Sequence, residues 1–276
     1  MEFLLSTVAD LNCVEDGEGV IITDLDRTGP VAAKYGLGIE IADFCTPENL
    51  DKDFSEADTR VKKKLLALRA ANVRQVTFHS PYNELYPCAI DPMIRKVAYL
   101  RYEQALSLAA SYGAKKIVIH AGWLENVYFK SFFIKESVGF WIDFLDRHPG
   151  DYIICLENVT ETAPDFLTEI IRQVNDDRLR ICLDIGHANI TGTSPEEWLE
   201  KCAPYISHLH VHNNKGVINT ENKASNDLHL PPGEGVMDVE TLLLKAKKLC
   251  GQDLTAAIEA WKVEEAAIWL KEHDFI

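Results

Sequence analysis

Eight short apolar runs, each followed by a longer amphipathic stretch, fill the chain from end to end. No other feature limits its fold so tightly. The runs are Phe3–Thr7, Leu37–Ile41, Val73–His79, Lys116–His120, Tyr152–Glu157, Arg180–Asp184, Ile206–His212 and Leu254–Glu259. Helical patterns between them include Glu56–Ala71, Pro92–Tyr112, Ser131–Arg147, Pro164–Val174, Pro195–Cys202 and Val239–Leu249. Within the first of these, Val61, Leu65, Leu66, Leu68 and Arg69 have the spacing of a one-sided helix. Ser194 followed by Pro195 marks a helix start, with Ser as cap and Pro in the first turn. Runs such as VRQVTFH and YIICLE are apolar at most positions, as in strands covered on both faces. Alternation of this kind builds a parallel sheet. Eight units in 276 residues suit a closed (β/α)8 TIM barrel better than an open, doubly wound sheet. No GxGxxG or GxxxxGK follows the first run, so a nucleotide cofactor is not expected. The Pro/Gly-rich segment Pro231–Gly235 is too short for a linker, and one α/β domain over residues 1–276 is expected.

Charge and cysteine usage narrow the setting. The formal charge of −15 weighs against a broad nucleic-acid-binding face. The seven Cys are scattered without a CxxC pair, and Cys155 and Cys182 sit inside apolar runs, as reduced core thiols do. Cys45 and Cys88 fall near loops that follow strands. The opening MEFLLSTVADLN has too short an apolar run for a signal peptide, and no stretch reaches the roughly 18 apolar residues of a membrane span. The expected location is cytoplasmic, with no membrane partner.

The chemistry is concentrated where the strands end, the rim on which barrel active sites lie. The second run carries Glu40, the third ends at His79, the fourth at His120 and the fifth at Glu157. The sixth ends at Asp184 with His187 beyond, the seventh carries His210 and His212, and the eighth ends at Glu259. Singly, such a His is usually a hydrogen-bonded core imidazole and such a Glu a helix cap. Together, converging carboxylates repel at low dielectric, and a cation is the common relief. A His and carboxylate set without Cys favours Zn, with Mn as the alternative, over Ca.

The segments TFHSPY (77–82), IVIHAG (117–122), CLENV (155–159), CLDIGHA (182–188), HLHVHN (208–213), DLHLPPGEG (227–235) and AIEAW (257–261) resemble the xylose isomerase-like TIM barrel superfamily, also called AP endonuclease family 2. It includes endonuclease IV and many sugar isomerases and epimerases. The resemblance implies a core metal site of Glu157, Asp184, His210 and Glu259. It also implies the further ligands of an endonuclease IV-like three-metal cluster: His79 and His120 beside Glu157, and His187 with Asp227 and His229. Endonuclease IV-like proteins usually carry a His near the end of the first strand, where this chain has Leu5-Ser6-Thr7-Val8-Ala9-Asp10.

Two activities follow as expectations. The first is hydrolysis of a phosphoester by metal-activated water, with Glu157, Glu259 and His187 as catalytic residues. Lys215 is then a candidate for the phosphate, and Tyr82 matches an inserting Tyr of endonuclease IV. The second is single-metal isomerisation or epimerisation of a sugar or sugar phosphate through an enediolate, with Glu157 and Glu259 as acid and base. Here Glu40, His212, Trp123 and Trp261 are the substrate-side candidates, and His187 holds a hydroxyl. A small-molecule phosphoester or sugar is the expected substrate. DNA is disfavoured, because the segment around Tyr82, Asn83-Glu84-Leu85, is not basic. A metal-stabilised binding protein without catalysis fits least, since closed structural sites need few ligands.

Overall fold

The computed structural model describes residues 1–10, 25–45, 50–51 and 54–276. Strands β1 (Glu2–Ser6), β2 (Gly38–Ile41), β3 (Val76–His79), β4 (Lys116–His120), β5 (Ile153–Glu157), β6 (Leu179–Asp184), β7 (Ile206–Val211) and β8 (Thr255–Ile258) close into a parallel barrel in chain order. Leu4 of β1 pairs with both Gly38 of β2 and Ala257 of β8, which completes the ring. Helices α1 (Leu25–Tyr35), α2 (Phe54–Ala70), α3 (Pro92–Tyr112), α4 (Lys130–Arg147), α5 (Asp165–Val174), α6 (Ile185–Thr191), α7 (Pro195–Cys202), α8 (Val239–Leu249) and α9 (Val263–Glu272) alternate with the strands. Among the described residues no helix is long and apolar enough to cross a membrane.

Local signals explain the longer helices. Asp91 caps α3 by accepting from the Met93 amide at 2.7 Å, Pro92 opens the first turn, and Gly113 ends it in the left-handed region. Ser194 caps α7 in the same way, accepting from the Glu197 amide. Helix α2 departs from the expected face. Ala57, Val61 and Leu65 are its buried residues, while Leu66 is 66% exposed. The buried stripe follows the 57-61-65 row of four-residue steps, and Leu66 stands one position round the helix from it.

The strands are less uniformly apolar than their composition suggests. Ile39, Ile41, Phe78, Ile117, Ile119, Ile154, Leu156, Ile181, Leu183, Leu209 and Val211 have one parity and belong to the large aliphatic layer between sheet and helices. The other parity carries Glu40, Thr77, His79, Lys116, Cys155, Glu157, Cys182, Asp184, His208, His210 and Thr255, all buried. The barrel is therefore oily outside its sheet and polar along its axis. Strand β3 also starts three residues later than the apolar run at Val73. An irregularity in the β6–β7 pairing, where Ile181 meets Ile206 and Cys182 meets His208, sets Ser207 apart. Cys45, Cys88, Cys155, Cys182 and Cys202 are buried free thiols and Cys250 is half-buried, while Cys13 lies outside the described residues.

Candidate metal centre

Side chains of the inward parity climb the axis in hydrogen-bonded steps. At the floor, Lys116 Nζ donates to the carbonyls of Ser207 (2.7 Å) and Asp253 (2.5 Å) and to Thr255 Oγ1 (3.0 Å). Thr255 Oγ1 lies 2.6 Å from His208 Nδ1, and His208 Nε2 lies 2.9 Å from Glu40 Oε2, which also accepts from Thr77. Glu40 Oε1 then stands 3.0 Å from His210 Nε2. Burial opposes a charge on Glu40, yet His210 and His208 hold its carboxyl well below the usual range.

Glu40 is thus a support beneath His210. It is fully buried and does not line the cavity, although the sequence put it among the substrate-side candidates. Replacing it by Ala leaves His208, Thr77 and His210 without their carboxylate. Breaking such a buried pair costs about 3–5 kcal/mol. Urea unfolding of metal-free Glu40→Ala should show a loss of that size, and a loss under about 1 kcal/mol, the range of exposed ion pairs, would refute the role.

Above Glu40 the rim side chains converge in three overlapping groups. Glu157 Oε2 lies 3.3 Å from both His79 Nε2 and His120 Nε2. Its other oxygen lies 3.1 Å from His210 Nδ1, which is 3.8 Å from Asp184 Oδ2 and 3.6 Å from Glu259 Oε2. Asp227 Oδ2 lies 3.3 Å from His187 Nε2 and 3.2 Å from His229 Nε2. A cavity of about 340 Å³ opens over them, lined by His79, His120, Glu157, His187, Asp227, His229 and Glu259 and framed by Val8, Tyr82, Val159, Ala224 and Trp261.

The donor chemistry fits divalent cations. Donors about 2.0–2.1 Å from a tetrahedral ion stand roughly 3.3–3.4 Å from one another, and the separations above bracket that value. The tautomers agree. His79 Nδ1 faces the Ser80 carbonyl at 2.9 Å, His187 Nδ1 that of Asn158 at 3.0 Å, and His229 Nδ1 that of Glu259 at 2.6 Å. A carbonyl only accepts, so each ring carries its proton on Nδ1 and turns a lone pair on Nε2 toward a carboxylate. Two acceptors face each other comfortably only with a cation or an extra proton between them.

The pKa shifts follow the same geometry. Burial disfavours the charge on each ring, but Glu157 raises His79, Asp184 and Asp227 hold His187 well above the ordinary range, and Asp227 takes His229 to about 9. Burial prevails at His120, pushed down to about 3, which leaves it a neutral donor. Several buried atoms, including Asp227 Oδ1 and Glu259 Oε1, have no hydrogen-bond partner.

Neighbouring elements aim these groups. Asp184 closes β6 and caps α6 by accepting from the His187 amide at 2.7 Å, so one turn delivers both residues. Asn158 exchanges hydrogen bonds with the Asp184 backbone while its own carbonyl takes His187 Nδ1. The loop carrying Asp227 and His229 is fastened by Asn213, whose backbone bridges Leu230 and whose side chain reaches Pro232 and Met237. Gly235 permits this, because a Cβ there would stand 2.1 Å from Asn213 Oδ1. Sequence reasoning missed Asn158 and Asn213. Asn158 follows a candidate ligand and Asn213 a candidate substrate contact, each in a quoted segment, and an amide after a strand-end carboxylate or His was the available signal.

Other expectations separate on inspection. Tyr82 and Trp261 line the mouth. Tyr82 stacks on His120 with ring centroids 4.2 Å apart, and Trp261 donates its indole N–H to the Leu228 carbonyl with its ring edge against His229. Trp123 packs instead among Tyr128, Phe133 and Phe166 behind the rim, and its place near the strand end reflects that aromatic cluster. Lys215 is exposed and outside the cavity lining, because the chain turns outward after Asn214. His212 is wholly buried and does not line the cavity. Of the Leu5–Asp10 stretch that stands in the place of a first-strand His, Val8 lines the cavity, beyond a Thr7 hydroxyl that bonds Asp43 and the Ala42 amide.

The comparisons agree with this architecture. An uncharacterised protein of Methanocaldococcus jannaschii is 28% identical over an alignment of 218 residues that covers 74% of this chain and 70% of that protein. The crystal structure of a D-tagatose 3-epimerase-like protein matches with a TM-score of 0.74 at 22% identity, covering 100% of this chain and 97% of that one. A Thermus thermophilus protein soaked with ZnCl2 matches with a TM-score of 0.69 at 23% identity, covering 99% of this chain and 98% of that one. At these identities the structural likeness shows the fold. Residues 30–276 match the family described as xylose isomerase-like TIM barrel. The chain belongs to that family.

Proposed function

We propose that the chain is a divalent-metal-dependent enzyme with a multinuclear site of up to three ions, zinc first and manganese as the alternative, that hydrolyses a phosphoester in a small molecule. The observation that carries this reading is the descent of Asp227 and His229 onto His187, beside a Glu157 whose two oxygens serve separate groups of donors. His79, His120 and Glu157 would hold one ion, Glu157, Asp184, His210 and Glu259 a second, and His187, Asp227 and His229 a third. When bound, such ions supply Lewis-acid activation of water and neutralise charge on the substrate oxygens.

The protein groups then have definite tasks. Glu259, with Oε1 unpartnered at the cavity wall, orients the attacking water and accepts its proton. His187, its Nδ1 held by the Asn158 carbonyl, would act through the ion that its Nε2 helps to hold. Tyr82 and Trp261 wall the mouth and keep bulk water from the floor. Among the described residues no Lys or Arg lines the cavity, which fits a small substrate better than a duplex backbone.

The structural likeness to a D-tagatose 3-epimerase-like protein favours a second reading. One ion in the core group would serve sugar epimerisation, with Glu157 and Glu259, on either side of His210 Nδ1, as acid and base.

Metal content decides between them. Elemental analysis after mild dialysis should give close to three equivalents per chain, with phosphatase activity on a panel of small phosphoesters. His229→Ala should lower the content by one equivalent. One equivalent in the wild type, unchanged in His229→Ala and joined to turnover of ketose epimers, overturns the first reading for the second.

A further inference from the structure

His212 follows β7 directly and lies behind the cavity lining, wholly buried. Its Nε2 lies 3.1 Å from Asp184 Oδ1 and 3.2 Å from Oδ2. A carboxylate only accepts, so Nε2 carries a proton and shares it between the two oxygens. Nδ1 is buried without a hydrogen-bond partner. The His187 amide also holds Asp184 Oδ1, at 2.7 Å, while Oδ2 faces the core group, 3.8 Å from His210 Nδ1. The face of the His212 ring carries His229, with centroids 3.9 Å apart and planes 9° from parallel. Rings stacked in this way meet through their faces, and their nitrogens do not converge on one point. The backbone makes room for the ring. A Cβ on Gly186, in the first turn of α6, would stand 2.1 Å from it, so any other residue there would displace the imidazole.

We propose that His212 is a positioning residue with two tasks, binding no ion itself. Its N–H orients the Asp184 carboxylate for the core ion, and its ring is the platform that sets the plane of His229 for the third. This rests on the multinuclear reading above and deepens it. An imidazole lone pair lies in the ring plane, so His229 can ligate only when that plane contains the ion. The bond from His229 Nδ1 to the Glu259 carbonyl, 2.6 Å, fixes one end of the ring but leaves it free to tilt about that axis. The flat contact with His212 removes the tilt. Partners behind the ligands commonly fix their orientation in this way. One side chain thereby links the core position to the third.

The two tasks separate by substitution. Gln sets an amide N–H near the place of Nε2 but has no ring, and Phe keeps a ring without the N–H. Zinc affinities are read by chelator competition on the whole chain, with Glu259→Ala marking the core equivalent and His229→Ala the third. His212→Gln should weaken the third equivalent by about 10–100-fold, the size of an outer-shell change, and leave the core within about threefold. His212→Phe should do the reverse. Equal losses at both positions in both variants would reduce His212 to packing, and no loss in either would mean that the ring orients nothing. Each result overturns the proposal. A wild type holding a single ion overturns the multinuclear reading, a distinct outcome, and the platform task with it. His212→Phe then still decides the Asp184 task on the ion that remains. Should the variants fail to fold, nitrogen NMR of the zinc-loaded wild type decides. A proton on His212 Nε2 with no metal shift at either nitrogen supports positioning, and a metal-shifted nitrogen on His212 overturns it.

Discussion

With the proposed three-ion site, Glu157→Gln is expected to strip two of three metal equivalents from the chain, the largest effect of any single substitution there. One carboxylate oxygen faces His79 and His120, and the other faces His210 and His187. Gln preserves the volume, so packing at this buried position survives. Its amide has one acceptor end and one donor end, and the donor end cannot ligate. Outer-shell changes alone typically cost 10–100-fold in metal affinity. Loss of a shared carboxylate should exceed about 100-fold at both positions and take activity with it. Elemental analysis and a far-UV spectrum of the purified variant check this. A folded variant that keeps three equivalents would show that Glu157 bridges nothing.

Removing metal should lower stability sharply and make it fall with rising pH. At free zinc a thousandfold above Kd, each ion contributes about 4.1 kcal/mol. At 2–4 °C per kcal/mol for chains near this size, each ion raises Tm by about 10 °C. In the metal-free chain, protons take over part of the cation's role. The His79, His187, His210 and His229 rings are buried, yet their neighbours raise them all, Cys182 and then carboxylates at His210 and carboxylates at the others, His229 to about 9. A raised group stabilises fully below its unfolded value, about 6.5 for His, and that stability drains as pH rises through the folded value. The lowered rings, His120 and His208, are neutral in both states above that pH and add nothing there. Metal-free protein should therefore lose Tm between about pH 6.5 and 9. Zinc-loaded protein should not, because its histidines already bind as neutral rings. Parallel melting curves with and without chelator decide the matter, and identical slopes would mean that no ion occupies the cluster.

The barrel and most of the rim were legible in sequence because both are written in short-range pattern. Runs closing on His79, His120, Glu157 and Asp184 put the last residue of each strand at the rim, and pairing in chain order follows from the alternation of strand and helix. Depth was not legible. Glu40, His210 and His212 look alike as ionisable residues near strand ends, and only closure of the ring puts Glu40 beneath His210 and His212 off the cavity wall, against His229. Trp123 and Lys215 illustrate a second limit. Whether a residue after a strand turns inward, packs behind the rim or faces water depends on loop geometry that no periodicity records. The parity within the strands was present but masked, since Cys155 and Cys182 on the polar side count as apolar in composition.

Lys116, Thr255, His208, Glu40 and Thr77 also change what holds the strands in alignment. An interior filled only with aliphatic side chains would accept a strand shifted by two residues at modest cost, since the same kind of side chain would refill each layer. Here β2, β3, β4, β7 and β8 are joined across the axis by directed bonds between unlike partners. A two-residue slip of β4 would move Val118 into the place of Lys116 and break every bond at the floor, while a one-residue slip would turn Ile117 inward. The column works as a key whose cuts must all match, so the fold is specified by the same polar residues that make its core expensive.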